Sequence, residues 1–530
     1  MVAQIQRRRK SAAAKSAVKT SPSGAGRVRD FALLYVNGER CEVRGPDAFM
    51  MLSEWLRKRR GLTGTKIVCA EGDCGACSLF RAYCGVGGDS TLAPINSCIT
   101  TVAQMDGSAV VTVEGLAVNG TPSPVQAAMT KCHGSQCGFC TPGFVVAMTA
   151  LVDGPDAQPQ RTRQRDLNAL TGNLCRCTGY QPIIDAAASV KWDPRFALAP
   201  RWLTPRMRKE LRAATQLPMM ILDGERVCHA PTSVASAAQL MKPGAAKGPG
   251  PLRILGAGTD LGVQSNKGRL ASERFLSLHL IPELYAVRRT RTLVEFGARV
   301  SLEAVRAATR EASPEFSAML NIFASPQIKN VATLVGNIAN GSPIGDTLPW
   351  LLVADAEVHV VGTARGRVQS RAIPFAKLYK SYRMLALAPG ELITKVVMRL
   401  PARNVVARVF KASQRKDLDI SAVGGAAWIA VDGESGKKTQ SRLGEVRVAL
   451  GGVAATPVRV PDVERILSGA ELPVTDDVAS RAHAALQKSI APISDVRGSA
   501  AFRRWLAAQF LGDVLGSLPA SISDGAAHAR

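Results

Sequence analysis

The sequence predicts a multidomain protein of the α+β class, and three observations carry that reading. The chain has 530 residues, more than one hydrophobic core usually serves. Eleven of its twelve cysteines lie before residue 180 in closely spaced groups, so the first third holds chemistry that the rest lacks. The hydrophobic pattern also changes along the chain. It passes from a hairpin, to helices opened by proline, to short apolar strands alternating with Ala-rich helical stretches.

Residues 1–29 contain eight basic side chains (Arg7, Arg8, Arg9, Lys10, Lys15, Lys19, Arg27 and Arg29) and no acid. In an Ala- and Ser-rich stretch this predicts a disordered basic leader. No apolar run follows it, which argues against a secretory or twin-arginine signal; a transit peptide is the alternative reading. The whole chain carries a formal charge of +25, but no helix-turn-helix, zinc-finger or RNA-recognition signature accompanies it. A solvated basic surface, or docking to an acidic partner, is therefore expected rather than nucleic-acid binding. No apolar run reaches the ~18–20 residues of a membrane helix, so a soluble protein is expected.

Residues 30–114 open with a strand over Phe31–Val36. Asn37-Gly38 then forms a tight turn, because both residues accept positive φ. A return strand covers Glu39–Arg44, and Asp47 is expected to cap a helix over Ala48–Arg59 that buries Leu52, Trp55 and Leu56. A Gly- and Cys-rich loop follows, and this order predicts a β-grasp ferredoxin domain. The loop reads Cys69-Ala-Glu-Gly-Asp-Cys74-Gly-Ala-Cys77. C-x4-C-x2-C is the plant-type [2Fe–2S] spacing, and Gly72 and Gly75 allow the backbone to wrap the sulfurs. The fourth thiolate is Cys84 or Cys98, with Cys98 favoured by its separation. Zinc fits poorly, since x4 is long for a zinc knuckle.

Residues 115–190 read as helical, with helices over Pro124–Lys131, Pro142–Val152 and Asp166–Leu170. They carry a C-x2-C pair, Cys137 and Cys140, and a C-x-C pair, Cys175 and Cys177. Taken alone, four such thiols suit an iron–sulfur cluster, a structural zinc or a redox pair. Residues 191–215 lack a period and read as a linker. Residues 216–402 read as α/β, with strands at Leu252–Leu255, Leu293–Phe296 and Val358–Val361. Residues 403–515 contain a strand at Val446–Leu450 and close on an amphipathic helix over Arg497–Leu515, with Phe502, Leu506, Phe510 and Leu511 on one face. Residues 516–530 are a tail.

Two loops in the α/β part suit a phosphate. Ile254-Leu-Gly-Ala-Gly-Thr-Asp-Leu261 follows a strand but lacks the third glycine of a dinucleotide fingerprint. Gln327-Ile-Lys-Asn-Val-Ala-Thr333-Leu-Val-Gly336-Asn337 leads to Gly341-Ser-Pro-Ile-Gly-Asp346. Small residues and amide donors there could cradle a pyrophosphate, and Asp346 could accept from a ribose or flavin hydroxyl.

The run His133-Gly-Ser-Gln-Cys-Gly-Phe-Cys-Thr-Pro-Gly-Phe144 and the run Gly172-Asn-Leu-Cys-Arg-Cys-Thr-Gly-Tyr180 resemble the second iron–sulfur domain of the xanthine dehydrogenase family. The two phosphate-type loops resemble the FAD domain that this family shares with the medium subunit of carbon monoxide dehydrogenases. Lys411–Ile420 and Gly451–Arg459 resemble its C-terminal flavoprotein domain. The resemblance implies a four-helix [2Fe–2S] domain with Cys137, Cys140, Cys175 and Cys177 as ligands, and it supports Cys69, Cys74, Cys77 and Cys98 for the first cluster. Cys41, Cys84, Cys132 and Cys228 match no ligand.

It further implies FAD contacts along Ile254, Leu255, Gly256, Ala257, Gly258, Thr259, Asp260 and Leu261, and at Phe323, Thr333, Gly336, Asn337, Asp346, Ile393 and Lys411. Phe323 would approach the flavin ring and Tyr382 the nicotinamide entry. The family has two glycines before the asparagine where this chain has Val335-Gly336. A valine that must avoid positive φ would weaken flavin binding there. No catalytic side chain is implied, FAD being the redox centre. The implied function is electron transfer in a cytoplasmic xanthine dehydrogenase that oxidises hypoxanthine and xanthine to urate. Electrons would pass from a molybdenum centre on a large molybdopterin-binding partner, through two [2Fe–2S] clusters, to FAD and then NAD⁺. The expected assembly is an (αβ)2 heterotetramer, with this chain as the small subunit because it stops where molybdopterin domains would begin. The alternative is the same role in a hydroxylase for another N-heterocycle or an aldehyde.

Overall fold

A computed structural model describes residues 27–88, 91–154, 162–246, 248, 250–432 and 441–518. The predicted leader and tail lie outside these residues except at their inner ends. Arg29 corrects the leader reading. It is 5% exposed and donates from both terminal nitrogens to Asp106 at 2.7 Å, so ordered chain begins before the first strand.

The first unit is a five-stranded mixed sheet ordered Glu39–Val43, Ala32–Val36, Ser108–Val111, Ser78–Tyr83 and Ala93–Asn96. Ala32–Val36 runs parallel to Ser108–Val111, and the other neighbours are antiparallel. Asn37 and Gly38 take φ of 46° and 81°, the turn expected of them. The predicted helix is interrupted. Pro46–Phe49 starts from Gly45, not Asp47, and an extended Met50-Met51 precedes Leu52–Arg59. The break has a reason: Met51 bridges to Thr101, and Leu52 N–H donates to Thr100 O. This places the second helix against the segment that carries Cys98.

Four helices follow, Pro124–Lys131, Thr141–Asp153, Arg163–Leu170 and Gln181–Ser189. Residue reading located the first three. The fourth has proline at its first turn, a signal present in the sequence. The expected linker holds two further helices, Leu198–Trp202 and Pro205–Ala214. Glu210 takes hydrogen bonds from Tyr35 (2.5 Å) and Arg40, and Trp202 Nε1 donates to Gly115 O, so this segment packs on the first sheet.

The third part has two larger sheets and a short hairpin, Tyr379–Ser381 with Met384–Leu385. One runs Met219–Asp223, Arg226–Ala230, Arg274–Ser277, Arg253–Leu255; the other runs Val287–Arg289, Leu293–Gly297, Leu392–Arg399, Glu357–Ala364, Arg367–Pro374. The last part is a four-stranded antiparallel sheet of Val405–Ala412, Val423–Asp432, Arg442–Gly451 and Val458–Arg459. Helices Pro461–Leu467, Asp476–Ser489 and Ala500–Gly516 accompany it. Trp350 joins the two parts, stacked on Phe316 and edge-on to Trp428, each at 5.2 Å. In the closing helix Leu506, Phe510 and Leu511 are buried, but Phe502 is 44% exposed and stacks on Trp505 instead. The protein is thus multidomain α+β, with its sequential units packed against one another.

Candidate cofactor-binding sites

The first cysteine group lies on the loop between the helix Leu52–Arg59 and the strand Ser78–Tyr83. Gly72 and Gly75 adopt φ of 77° and 69° there, where a side chain would be strained. Space is as restrictive as conformation at Gly75, since a Cβ would lie 2.2 Å from Gly172 O. Glu71 and Cys74 N–H groups donate to Cys69 Sγ at 3.4 Å, and Asn96 Nδ2 donates to Cys77 Sγ at 3.7 Å. Cys69 contacts Cys74 and Cys98, while Cys77 contacts Cys98. Cys98 lies on a buried turn, Ser97–Ile99, 3% exposed. Cys84, the other candidate, is buried near Ala82 O.

In the second group Cys137 contacts Cys177, and Cys140 contacts Cys175. Cys140 is the N-cap of the helix Thr141–Asp153. Tyr180 holds φ of 71°, and its hydroxyl accepts from Cys175 N–H at 3.0 Å. Cys137 and Cys177 are exposed. Among the described residues no three His, Cys, Asp or Glu side chains surround one metal-ion position; the first group forms a chain of four contacting thiols, and the second group meets in two pairs. Four thiols gathered in each group, with N–H donors near sulfur in the first, would suit a [2Fe–2S] cluster.

The thiol titrations follow these contacts. Hydrogen bonds from Cys74 and Cys98 hold Cys69 well below the usual thiol value, and those thiols are raised in turn. Burial and the bond to Cys175 push Cys140 up to about 12. A soft cation would replace the protons shared among these thiols.

The flavin candidates form a second focus. Gly258 takes φ of 74° and caps the helix Thr259–Asn266. Gly256 lies opposite Thr333, whose Oγ1 would be 3.5 Å from a Cβ on it, so the two predicted loops do face each other. Thr333 caps the helix Leu334–Asn340 by accepting from Gly336 N–H at 2.9 Å. Asn337 Oδ1 accepts from Thr347 Oγ1 at 2.6 Å. Lys411 Nζ donates to Asp346 Oδ2 (2.7 Å), Asp419 O and Ser421 Oγ (both 2.8 Å), and Ser421 Oγ donates to Asp346 Oδ1. Asp346 and Lys411 are therefore partners of each other. Ile393 is buried in the core and Phe323 is half-buried against it. Asp260 accepts from Gln264 on its own helix. Tyr382 is 59% exposed, on a hairpin whose Arg383 backbone packs on Gly341.

Val335 corrects an expectation. It lies in the first turn of a helix with its side chain buried among apolar neighbours, so no positive φ is asked of it. The argument from φ for weaker flavin binding at this position therefore falls away.

Residue reading missed the side chains that join these places. Gln104 Nε2 donates to Ala257 O at 2.6 Å, fastening the first phosphate-type loop to the ferredoxin-like unit. Its capping box with Thr101, T-x-x-Q, was visible in the sequence. Asn266 Nδ2 donates to Ala70 O (2.7 Å) and Cys98 O (2.8 Å). Gly262 lies so near Ile99 that a Cβ would sit 2.0 Å from its carbonyl oxygen. No local pattern signals such long-range pairs.

Residues 112–188 match the [2Fe-2S] binding domain family, residues 223–402 the FAD binding domain in molybdopterin dehydrogenase, and residues 408–518 the CO dehydrogenase flavoprotein C-terminal domain. The fold and these matches define an iron–sulfur flavoprotein. The chain is similar to xanthine dehydrogenase of Drosophila subobscura, 32% identical over 499 residues, covering 84% of this chain and 36% of that protein. It is also similar to xanthine dehydrogenase 1 of Arabidopsis thaliana, 28% identical over 498 residues, covering 83% and 36%. The chain thus spans about a third of the length of these relatives. Among solved structures it is similar to carbon monoxide dehydrogenase of Hydrogenophaga pseudoflava lacking the Mo-pyranopterin moiety of the molybdenum cofactor. That likeness has 22% identity and a TM-score of 0.49, and covers 55% of this chain and 96% of the other. The chain thus carries a [2Fe-2S] binding domain, an FAD binding domain of the molybdopterin dehydrogenase type and a CO dehydrogenase-type flavoprotein C-terminal domain.

Proposed function

We propose that this chain is the electron-transfer subunit of a molybdenum hydroxylase, and that the hydroxylase is a xanthine dehydrogenase forming urate from hypoxanthine and xanthine. The observation that carries the role is that two groups of four contacting thiols and the flavin half are joined by side-chain hydrogen bonds in one chain. The iron–sulfur clusters and FAD supply the electron-carrying chemistry, and the protein's task is to hold, space and tune them.

Cys69, Cys74, Cys77 and Cys98 would hold one cluster, and Cys137, Cys140, Cys175 and Cys177 the other. Backbone N–H groups at Glu71 and Cys74 point at Cys69 sulfur and favour its anionic form. The loops at Ile254–Leu261 and Thr333–Asn337 would take the FAD pyrophosphate. Lys411 holds Asp346 in place through its hydrogen bond. The exposed Cys137 and Cys177 suit contact with a large molybdopterin-binding partner, and the exposed Tyr382 suits NAD⁺ as acceptor. An (αβ)2 assembly in the cytoplasm completes the reading. The named xanthine dehydrogenase relatives support the substrate.

The test is an anaerobic xanthine titration of the complex from its native host, followed by visible absorbance. Bleaching of the flavin and iron–sulfur bands, reversed by NAD⁺, is the expected result. Bleaching by dithionite but not by xanthine would remove the substrate assignment and point to another N-heterocycle or an aldehyde. Absence of a visible spectrum would overturn the cofactor reading itself.

A further inference from the structure

Between the two cysteine groups lies a side chain that belongs to neither. Gln327 sits in the short helix Pro326–Lys329 of the flavin half and is 0% exposed. Its Nε2 donates to Ser78 Oγ and to Asn173 Oδ1, both at 3.0 Å. Ser78 is the residue after Cys77, and Asn173 lies two residues before Cys175.

The bonds continue into a closed ring. Ser78 Oγ donates to Gly75 O at 2.7 Å, and Asn173 Nδ2 donates to the same oxygen at 3.2 Å. Gly75 O is therefore held from both loops, and Gln327 holds the two side chains that hold it. Donor direction is consistent around the ring. With Ser78 and Asn173 both spending hydrogens on Gly75, the remaining place calls for two hydrogens, which an amide N–H₂ supplies without burying a charge. A carboxylate there could not.

Packing leaves no slack around this ring. A Cβ on Gly172 would lie 2.0 Å from Gln327 Oε1, and one on Gly143 would lie 2.3 Å from Gly75 O. Leu174 N–H also donates to Cys74 O at 3.0 Å, tying the two cysteine loops directly. Gln327 Oε1 itself has no hydrogen-bond partner, a cost accepted at a fully buried position. A glutamine used only to join domains could be replaced by a methionine of similar size without that cost. One amide bridging two ligand loops points to a requirement for their relative placement.

We propose that Gln327 is a positioning residue that sets the relative placement of the two iron–sulfur clusters from the flavin half. The inference rests on the cofactor reading above. In the fully reduced protein two nearby paramagnetic clusters split each other's EPR signals, and the splitting depends on their separation and orientation. Gln327→Met keeps the volume and removes both donor bonds; Gln327→Glu keeps the shape and leaves at most one donor hydrogen in place of two.

The experiment compares low-temperature EPR of dithionite-reduced holoenzyme with that of these variants, at matched iron content. Loss or a clear change of the splitting in both, with each cluster's own signal retained, is the expected outcome. Wild-type splitting in a Gln327→Met protein, even one of lower melting temperature, would overturn the proposal and leave Gln327 a packing residue. Should neither variant accumulate, Ser78→Ala cuts only one arm of the ring and carries the same two outcomes. A wild-type protein without two iron–sulfur signals would overturn the cofactor reading and this inference with it.

Discussion

Cys98 and Cys84 have the same side chain and are both buried, yet the structure gives them different surroundings. Cys98 contacts Cys69 and Cys77; Cys84 lies in the apolar core of the first two units, beside Ala82 O. Cys98→Ser is therefore expected to abolish one reduced-state EPR signal, while Cys84→Ser leaves both. The reverse result would make Cys84 the ligand. Asp106 illustrates a different single-residue dependence. Burial alone would raise its carboxyl, but Arg29 and His279 outweigh burial and hold it down at about 2. Leu33 N–H also donates to it at 2.8 Å. A carboxyl whose folded value lies below its unfolded one stabilises the fold fully above the unfolded value, and that stability is lost as pH falls through the folded value. The ordinary value is 3.8, so acid should remove this contribution, worth about 2 kcal/mol, between roughly pH 4 and pH 2. Asp106→Asn should flatten that part of the acid unfolding curve and lower stability by about 3–5 kcal/mol at neutral pH, because Arg29 is left buried without its partner. An unchanged acid limb would refute the assignment.

At the scale of elements, what was legible and what was not divides by range. The hairpin at Asn37-Gly38 and the proline-started helices Pro124–Lys131 and Thr141–Asp153 follow from chain-local signals, and the structure has them. The interruption at Met50-Met51 and the exposure of Phe502 were not legible. Thr100, Thr101 and Trp505 decide them, and periodicity does not encode a strand bridge or a surface stack. Val335 was misread for a related reason. A glycine pattern suggested a loop, whereas Thr333 caps a helix that buries the valine. Val335→Gly is consequently expected to destabilise by about 2–4 kcal/mol, combining lost burial with glycine's poor helix propensity, and not to tighten flavin binding. Thermal denaturation and flavin retention on dialysis separate these outcomes. Gly262 makes the complementary case. It lets the helix that follows the flavin-type loop touch Ile99, beside Cys98. Gly262→Val should disturb the first cluster's EPR signal and flavin content together; loss of either alone would show that the contact does not couple them.

At the scale of the whole molecule, the cysteine groups were legible because ligand spacing is a short-range code. Their assembly was not, because Gln104, Gln327 and Lys411 reach partners far away in sequence. Lys411 is the clearest instance. It extends from the strand Val405–Ala412 of the C-terminal unit to Asp346 of the preceding one, and the two side chains are 2% and 8% exposed. Two charges so buried gain little over a matched apolar pair, since removing them from water costs about as much as their attraction returns. Breaking the pair is another matter, because one charge is then left without its partner. Lys411→Met alone should cost about 3–5 kcal/mol and release flavin on dialysis, as Asp346 loses its fixed orientation. Lys411→Met with Asp346→Asn removes both charges, and its cost should be smaller than the sum of the single changes by about 1–3 kcal/mol. Melting temperature and bound flavin measured across that cycle distinguish two roles. Recovery of stability without recovery of flavin would mean that the charges serve the cofactor. Recovery of both would make the pair a fastening between units, and additive costs would show that the bond seen between Lys411 and Asp346 contributes nothing of its own.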